Sequence, residues 1–186
     1  MPFRRSIVIG AALVAFMAGT AFAQDKSAKQ SEVKAKAQQA LEDFYKADPQ
    51  IKGQVSAAPG YAVFTTFGLS FGLGGAGGKG VAHDNKANKD TYMEIAQASA
   101  GLQIGASDTR YLFVFKDAKD LAEFIDKGWD ASAGASAGVG TGASGATAGA
   151  GAGAATGARF YTLTKAGLQA GVAVSGMKAW KDKDLN

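Results

Sequence analysis

No cysteine occurs among the 186 residues, which excludes a disulfide framework, a thiolate metal site and a lipidated cysteine. His83 is the only histidine, too few for the clustered imidazoles of an ordinary zinc centre. No apolar run reaches the roughly 20 residues that a membrane-spanning helix requires. Charge of one sign is scarce as well. The formal net charge is +4, two units of which come from Arg4 and Arg5. A balance this small points neither to nucleic acid nor to strong anionic attraction across the whole molecule.

The N-terminus has the order of an export signal. Arg4 and Arg5 form a positive start, Ile7 to Met17 a short apolar core, and Ala21-Phe22-Ala23 a small-x-small cleavage pattern. Residues 1–23 are therefore expected to be a cleavable signal, with Gln24 opening the mature chain. The expected destination is the periplasm or outer envelope. The remaining 163 residues, 186 less 23, suffice for one domain with a substantial core.

Two helices stand out. In residues 27–47, Val33, Ala37, Leu41 and Phe44 gather on one face, and Asp48-Pro49 stops the run because the residue before proline leaves the α region. This face suits docking on a core better than lying on a membrane, since acidic residues interrupt its basic surroundings. A second helix is expected over Ala118–Lys127, with Gly128 at its end. Between them the period changes. Phe67, Leu69, Phe71 and Leu73 alternate with Gly68, Ser70, Gly72 and Gly74, a two-residue repeat whose small side would admit another backbone. Further strands are expected at Thr91–Ala98, Gly101–Ala106, Arg110–Lys116, Phe160–Thr164, Leu168–Val174 and Met177–Lys181, with a polar turn over His83–Asp90. Residues 131–158 are almost wholly Ala, Gly, Ser and Thr. Their glycine spacing fits either close helix packing or a small-sided strand; a strand over 131–142 followed by a flexible connection is the expectation. Gly-Leu-Gln-x-Gly occurs twice, at Gly101–Gly105 and Gly167–Gly171, so these two strands should pair or hold related places in a sheet.

Catalytic chemistry finds little support. Gly72-x-Gly74-x-x-Gly77 matches a dinucleotide fingerprint literally, but more glycine and a polar turn follow where a helix N-terminus would have to hold the pyrophosphate. His83 lies beside Asp84, Asn85 and Lys86 and reads as a solvated loop residue. No nucleophile elbow and no acid–base pair of carboxylates is present. No catalytic residue, metal site or cofactor is expected. Lys26, Lys29, Lys34 and Lys36 cluster before and within the first helix. Solvated lysines are their ordinary reading, and contact with anionic lipid headgroups is the functional one.

Several pieces in a fixed order resemble the SYLF domain family, which includes Ysc84-like actin-binding proteins. They are Ala58–Phe64, the glycine-rich Phe67–Gly80, Ala100–Gly105, the apolar Tyr111–Phe115, Lys119–Phe124, the Ala/Gly segment, Phe160–Thr164 and Gly167–Gly176. The resemblance covers roughly 36–185 and implies a compact membrane-lipid-binding domain. Phosphoinositide and actin partners belong to eukaryotic members and are not expected of an exported chain.

The expected fold is thus α+β: a largely antiparallel β-sheet, open or barrel-like, carrying two helices, in a single domain over 24–186. The expected function is non-catalytic binding of a lipid or membrane surface, with Lys26, Lys29, Lys34 and Lys36 toward the headgroups. The alternative is a structural or partner-binding envelope protein without lipid specificity.

Overall fold

Two long strands organise the molecule, because the glycine-rich alternation runs on as one strand into the polar turn expected over His83–Asp90. In the computed structural model, which describes the backbone of residues 11–131, 157–165, 167–170 and 176–186, β1 (Gly60–Asp84) and β2 (Lys89–Phe115) form one antiparallel hairpin. Side chains are described from Asp25 onward, except those of 68–74, 98–107 and 169. The signal-like residues 1–10, the Ala/Gly segment 132–156, residue 166 and all of 171–175 lie outside the described residues, as do the side chains of Leu69, Phe71 and Leu73.

Three expected strands are therefore one. Thr91–Ala98, Gly101–Ala106 and Arg110–Lys116 fuse into β2, with a register shift opposite Phe71–Leu73. The polar turn also shrinks. His83 pairs with Asp90 and Asp84 with Lys89, so only 85–88 remain to reverse the chain.

The second edge of β2 is shared. Its end, Arg110–Phe115, pairs with β4 (Ala158–Thr164), and its beginning, Met93–Gln97, pairs with β6 (Met177–Lys181). The short β3 (Trp129–Asp130) lies outside β6, and β5 (Gly167–Ala170) outside β4. All pairings are antiparallel. The repeated Gly-Leu-Gln copies fall on β2 and β5; among the described residues β5 pairs with β4 and not with the β2 copy.

A straight strand rising about 3.3 Å per residue would separate Met93 from Phe113 by roughly 66 Å. Instead both belong to one buried cluster with Phe64, Phe124, Phe160 and Met177. The hairpin must curl for this to happen, and the glycines of β1 permit it. A side chain at Gly78 would overlap the Thr65 carbonyl, and one at Gly80 the Val63 carbonyl and the Phe64 ring. The N–H of Asn85 also donates to the carbonyl of Pro59 at 2.9 Å. The two halves of β1 thus lie against each other, which gives the sheet its barrel-like curvature. The close approach expected at the small side of 68–74 concerns side chains outside the described residues; among the described glycines of β1, the overlaps fall at 60, 78 and 80.

The sheet is buried on both faces. Inside the curl, Phe64, Phe113, Phe115 and Phe160 pack with α3 (Ala118–Lys127) through Leu121 and Phe124. Outside it, Val63, Val81, Leu112 and Val114 pack under Val33, Ala37, Leu41 and Phe44 of α1 (Ala11–Ala47). Tyr111–Phe115 are consequently all buried, which explains why that strand reads as a continuous apolar run rather than an alternation.

There are three described helices rather than two. The first ends at Ala47, as Asp48-Pro49 requires, but α2 (Gln50–Ala57) starts at once, with the Gln50 N–H donating to the Asp48 carboxylate at 2.9 Å. Ile51 and Val55, one turn apart, bury its inner side. That pair was the available signal for this helix. The third helix has the expected bounds; Asp117 caps its start and Gly128, at φ +74°, follows its end.

Candidate functional site

The clearest concavity lies between α1 and the curled hairpin. It is a cleft of about 720 Å³, within the range of ordinary ligand sites. Lys29, Lys36 and Ala40 line it from α1, Thr65–Phe67 and Lys79 from β1, Arg110 from β2, and Leu185 from the C-terminal turn. Its floor is apolar and largely buried, through Val33, Ala40 and Leu185. Phe67 stands at its rim and is 61% exposed. The charged lining is mixed: Lys29, Lys36, Lys79 and Arg110 face Glu32, Asp108 and Asp184.

Helical geometry divides the four candidate lysines. At about 3.6 residues per turn, Lys29 and Lys36 fall on one flank of the Val33–Phe44 stripe and Lys34 on the other. Lys29 pairs with Asp25 at 2.8 Å and Lys36 with Glu32 at 2.7 Å, both exposed i,i+4 pairs of small energetic weight. The hydrogen bond and charge of Asp25 hold the Lys29 ammonium above its ordinary pKa. Lys34 points away from the cleft to Asp90, at 2.5 Å. Lys26 reaches the backbone oxygen of Asn186 at 2.8 Å. The structure therefore brings Lys29 and Lys36 together at the cleft and places Lys26 and Lys34 in contacts with other parts of the fold.

No cluster of basic residues marks Lys79 or Arg110 as site residues in the sequence, where Lys79 stands between glycines and Arg110 opens a strand. Lys79 spans Glu94, at 2.8 Å, and Asp182. Burial works against its charge, but the two carboxylates outweigh it and raise its pKa. Arg110 reaches Asp43 of α1 at 3.4 Å and Asp108 at 3.6 Å. Its position at the head of an apolar strand was the only local signal.

His83 is not the solvated loop residue expected. It lies on β1, half-buried, with Nδ1 2.6 Å from Asp90 and its ring 5.3 Å from that of Tyr61. Pairing with Asp90 across the hairpin draws it inward. Burial raises the Asp90 pKa, yet the hydrogen bonds and charges of Lys34 and His83 prevail and leave it below the usual value. Burial, aided by Tyr45 and Asp90, pushes the neighbouring Tyr61 hydroxyl up to about 12. This group fastens α1 to the hairpin: Asp90 joins His83 on its own sheet to Lys34 on the helix. Among the described residues, no group of three or more His, Cys, Asp or Glu side chains is arranged to hold a metal. No described helix is long and apolar enough to cross a membrane.

A family model for Ysc84, described as a Las17-binding protein actin regulator, matches residues 96–186. Over 162 residues the chain is also 31% identical to Beta cell expansion factor A of Aeromonas veronii, an alignment taking in 86% of this chain. The chain spans 60% of the length of that curated relative. Arg110 and Leu185 of the cleft fall within the family match, whereas Lys29, Lys36, Phe67 and Lys79 precede it.

Proposed function

Residues 96–186 belong to the Ysc84, or SYLF, family, and on that premise we propose that this chain is a non-catalytic module that binds the surface of anionic membranes. The observation that carries the reading is the cleft, where two exposed lysines of α1 stand beside an exposed phenylalanine on the hairpin. Cations beside an exposed aromatic are the combination that a headgroup layer over hydrocarbon recognises. The lysine contribution falls chiefly on Lys29 and Lys36. Lys26 and Lys34 add less, since they are tied to distant parts of the fold, Asn186 and the half-buried Asp90, whereas the partners of Lys29 and Lys36 are exposed neighbours on the same helix.

Sedimentation with vesicles tests this. Near a strongly anionic surface each lysine contributes about 1 kcal/mol, so changing Lys29 and Lys36 to glutamine should weaken binding to phosphatidylglycerol vesicles by up to roughly thirtyfold. Changing Lys26 and Lys34 should cost less. Raising the salt should erode binding of the unmodified protein, because screening shortens the reach of its charges to about 8 Å near physiological strength. Equal losses from the two pairs would remove the cleft from the reading. No binding of folded protein to any vesicle would favour the protein-partner alternative, whose support is the family's description as a regulator that binds another protein.

Export to the periplasm or outer envelope, with cleavage after Ala23 leaving 24–186 as the working domain, is part of the same proposal. It rests on the order of charge, apolar core and Ala21-Phe22-Ala23. N-terminal sequencing of protein recovered from expressing cells should begin at Gln24; a majority beginning at Met1 or Pro2 would overturn it.

A further inference from the structure

Lipid-surface binding leaves open which part of the molecule enters the bilayer, and the helix is the obvious candidate. The packing argues otherwise. The apolar stripe of α1 is already spent on the sheet: Val33, Ala37, Ala40, Leu41 and Phe44 are all buried. Among the described residues the exposed large hydrophobic side chains are Phe67 and Trp180. Trp180 has a polar partner, its indole N–H donating to Glu94 at 2.8 Å. Phe67 makes no ring contact with another described aromatic. It shares a cleft of mixed charge with Lys29, Lys36, Lys79 and Arg110 as well as Glu32, Asp108 and Asp184, so the more exposed of the two large apolar side chains lies among four cations and three carboxylates. Phe67 also opens the stretch in which the hairpin pairs Leu69 with Ala106 and Phe71 with Ile104.

From this juxtaposition we propose that the hairpin, entering at Phe67, is the element that inserts among the acyl chains of an anionic bilayer, while Lys29 and Lys36 of α1 stay at the headgroup level. This rests on the lipid-surface reading and gives it an orientation. α1 is then a headgroup-facing brace that remains docked on the sheet.

The absence of cysteine makes the test direct. Phe67→Cys and, as a control on α3 across the sheet, Glu123→Cys are each labelled with an environment-sensitive fluorophore. Both are mixed with equimolar phosphatidylglycerol and phosphatidylcholine vesicles. Emission from position 67 should shift to the blue and be quenched by brominated acyl chains, whereas position 123 should stay aqueous. Separately, Phe67→Ser should lower vesicle partitioning by roughly ten- to a hundredfold, the factor for burying a phenylalanine side chain. Circular dichroism verifies its fold. High salt should leave that ratio unchanged, since the lost contact is apolar, while it erodes the contribution of Lys29 and Lys36. If the unmodified chain binds vesicles but position 67 stays aqueous, the inserted hairpin is wrong and surface binding stands. If the unmodified chain does not bind, both readings fall. A blue shift that grows with protein concentration and needs no vesicles would reassign Phe67 to contact between two copies of this chain.

Discussion

Alanine at Gly80 will destabilise the fold by about 3 kcal/mol, the upper end of the usual overpacking range, and valine will cost more. The backbone conformation is not at issue, for Gly80 is absent from the positions with positive φ. Space is. A Cβ there would overlap the Val63 carbonyl and lie 2.5 Å from Cδ1 of Phe64. Both neighbours are buried, and the nearer is main chain that cannot move without opening the curl. Gly77 provides the comparison. Three residues earlier on the same strand, its added Cβ would come no closer than 3.9 Å to the Ile95 carbonyl. Gly77→Ala should therefore be neutral or slightly stabilising, because glycine in a strand interior costs roughly 0.5–1 kcal/mol relative to alanine. Urea denaturation midpoints decide the matter. Equal midpoints for the two variants would show that the halves of β1 do not touch.

Removing the Asp182 carboxylate will cost about as much. Although it lies four residues from the C-terminus, its side chain is only 3% exposed. Oδ2 receives the Lys79 ammonium, while Oδ1 accepts the N–H groups of Asp184 at 2.9 Å and Leu185 at 3.1 Å. That arrangement holds the terminal turn on the molecule. Leu185 enters the core under α1, and the Asn186 side chain donates to the Tyr92 carbonyl at 2.7 Å and accepts the Tyr92 N–H at 3.0 Å. Asp182→Ala strips the acceptor from two backbone donors and leaves the Lys79 ammonium with Glu94 alone, so a loss of about 2–4 kcal/mol is expected.

The same carboxylate gives the fold an acid limit. Burial raises its pKa, but Lys79 and the two backbone donors overcome this and hold it below the ordinary 3.8, as Lys34 and His83 do for Asp90. At these sites the unfolded chain binds protons more readily than the native one. Stability from them is full above about 3.8 and declines as the pH falls from there through the lower native values. Asp182→Asn should flatten that decline in acid titrations of the denaturation midpoint; an unchanged slope would show that the carboxylate is not charged in the native state.

Local pattern was enough for much of this architecture. The apolar stripe of α1, its stop at Asp48-Pro49, the exact bounds of α3 and the strands at Met177–Lys181 and Tyr111–Phe115 follow from side-chain period and from the backbone limits of proline and glycine. α2 escaped notice because two buried residues, Ile51 and Val55, make too short a period to stand out. The join of three strands into β2 escaped it for a related reason: Ser99-Ala100 and Ser107-Asp108-Thr109 read as breaks between apolar runs, yet in the paired strand their backbones simply continue the ladder. The site was less legible. The lysine cluster near α1 was visible as a run along the chain, but its division into Lys29 and Lys36 on one flank and Lys34 on the other depends on which face of the helix is buried. Phe67 looked like one more member of an alternation; its exposure depends on what the curled hairpin covers.

By itself, then, the sequence determined the α+β class, the antiparallel pairing, the absence of thiol chemistry and the resemblance to SYLF domains, because these depend on residue type and on neighbours a few positions away. Tertiary structure alone decided that Gly78 and Gly80 would meet Thr65 and Val63, that Lys79 would find Asp182 across 103 residues, and that Phe67 would be left uncovered beside Lys29, Lys36 and Arg110. Each of those depends on the curl of one hairpin, and curl is set by the summed packing on both faces of a sheet rather than by any local run of residues.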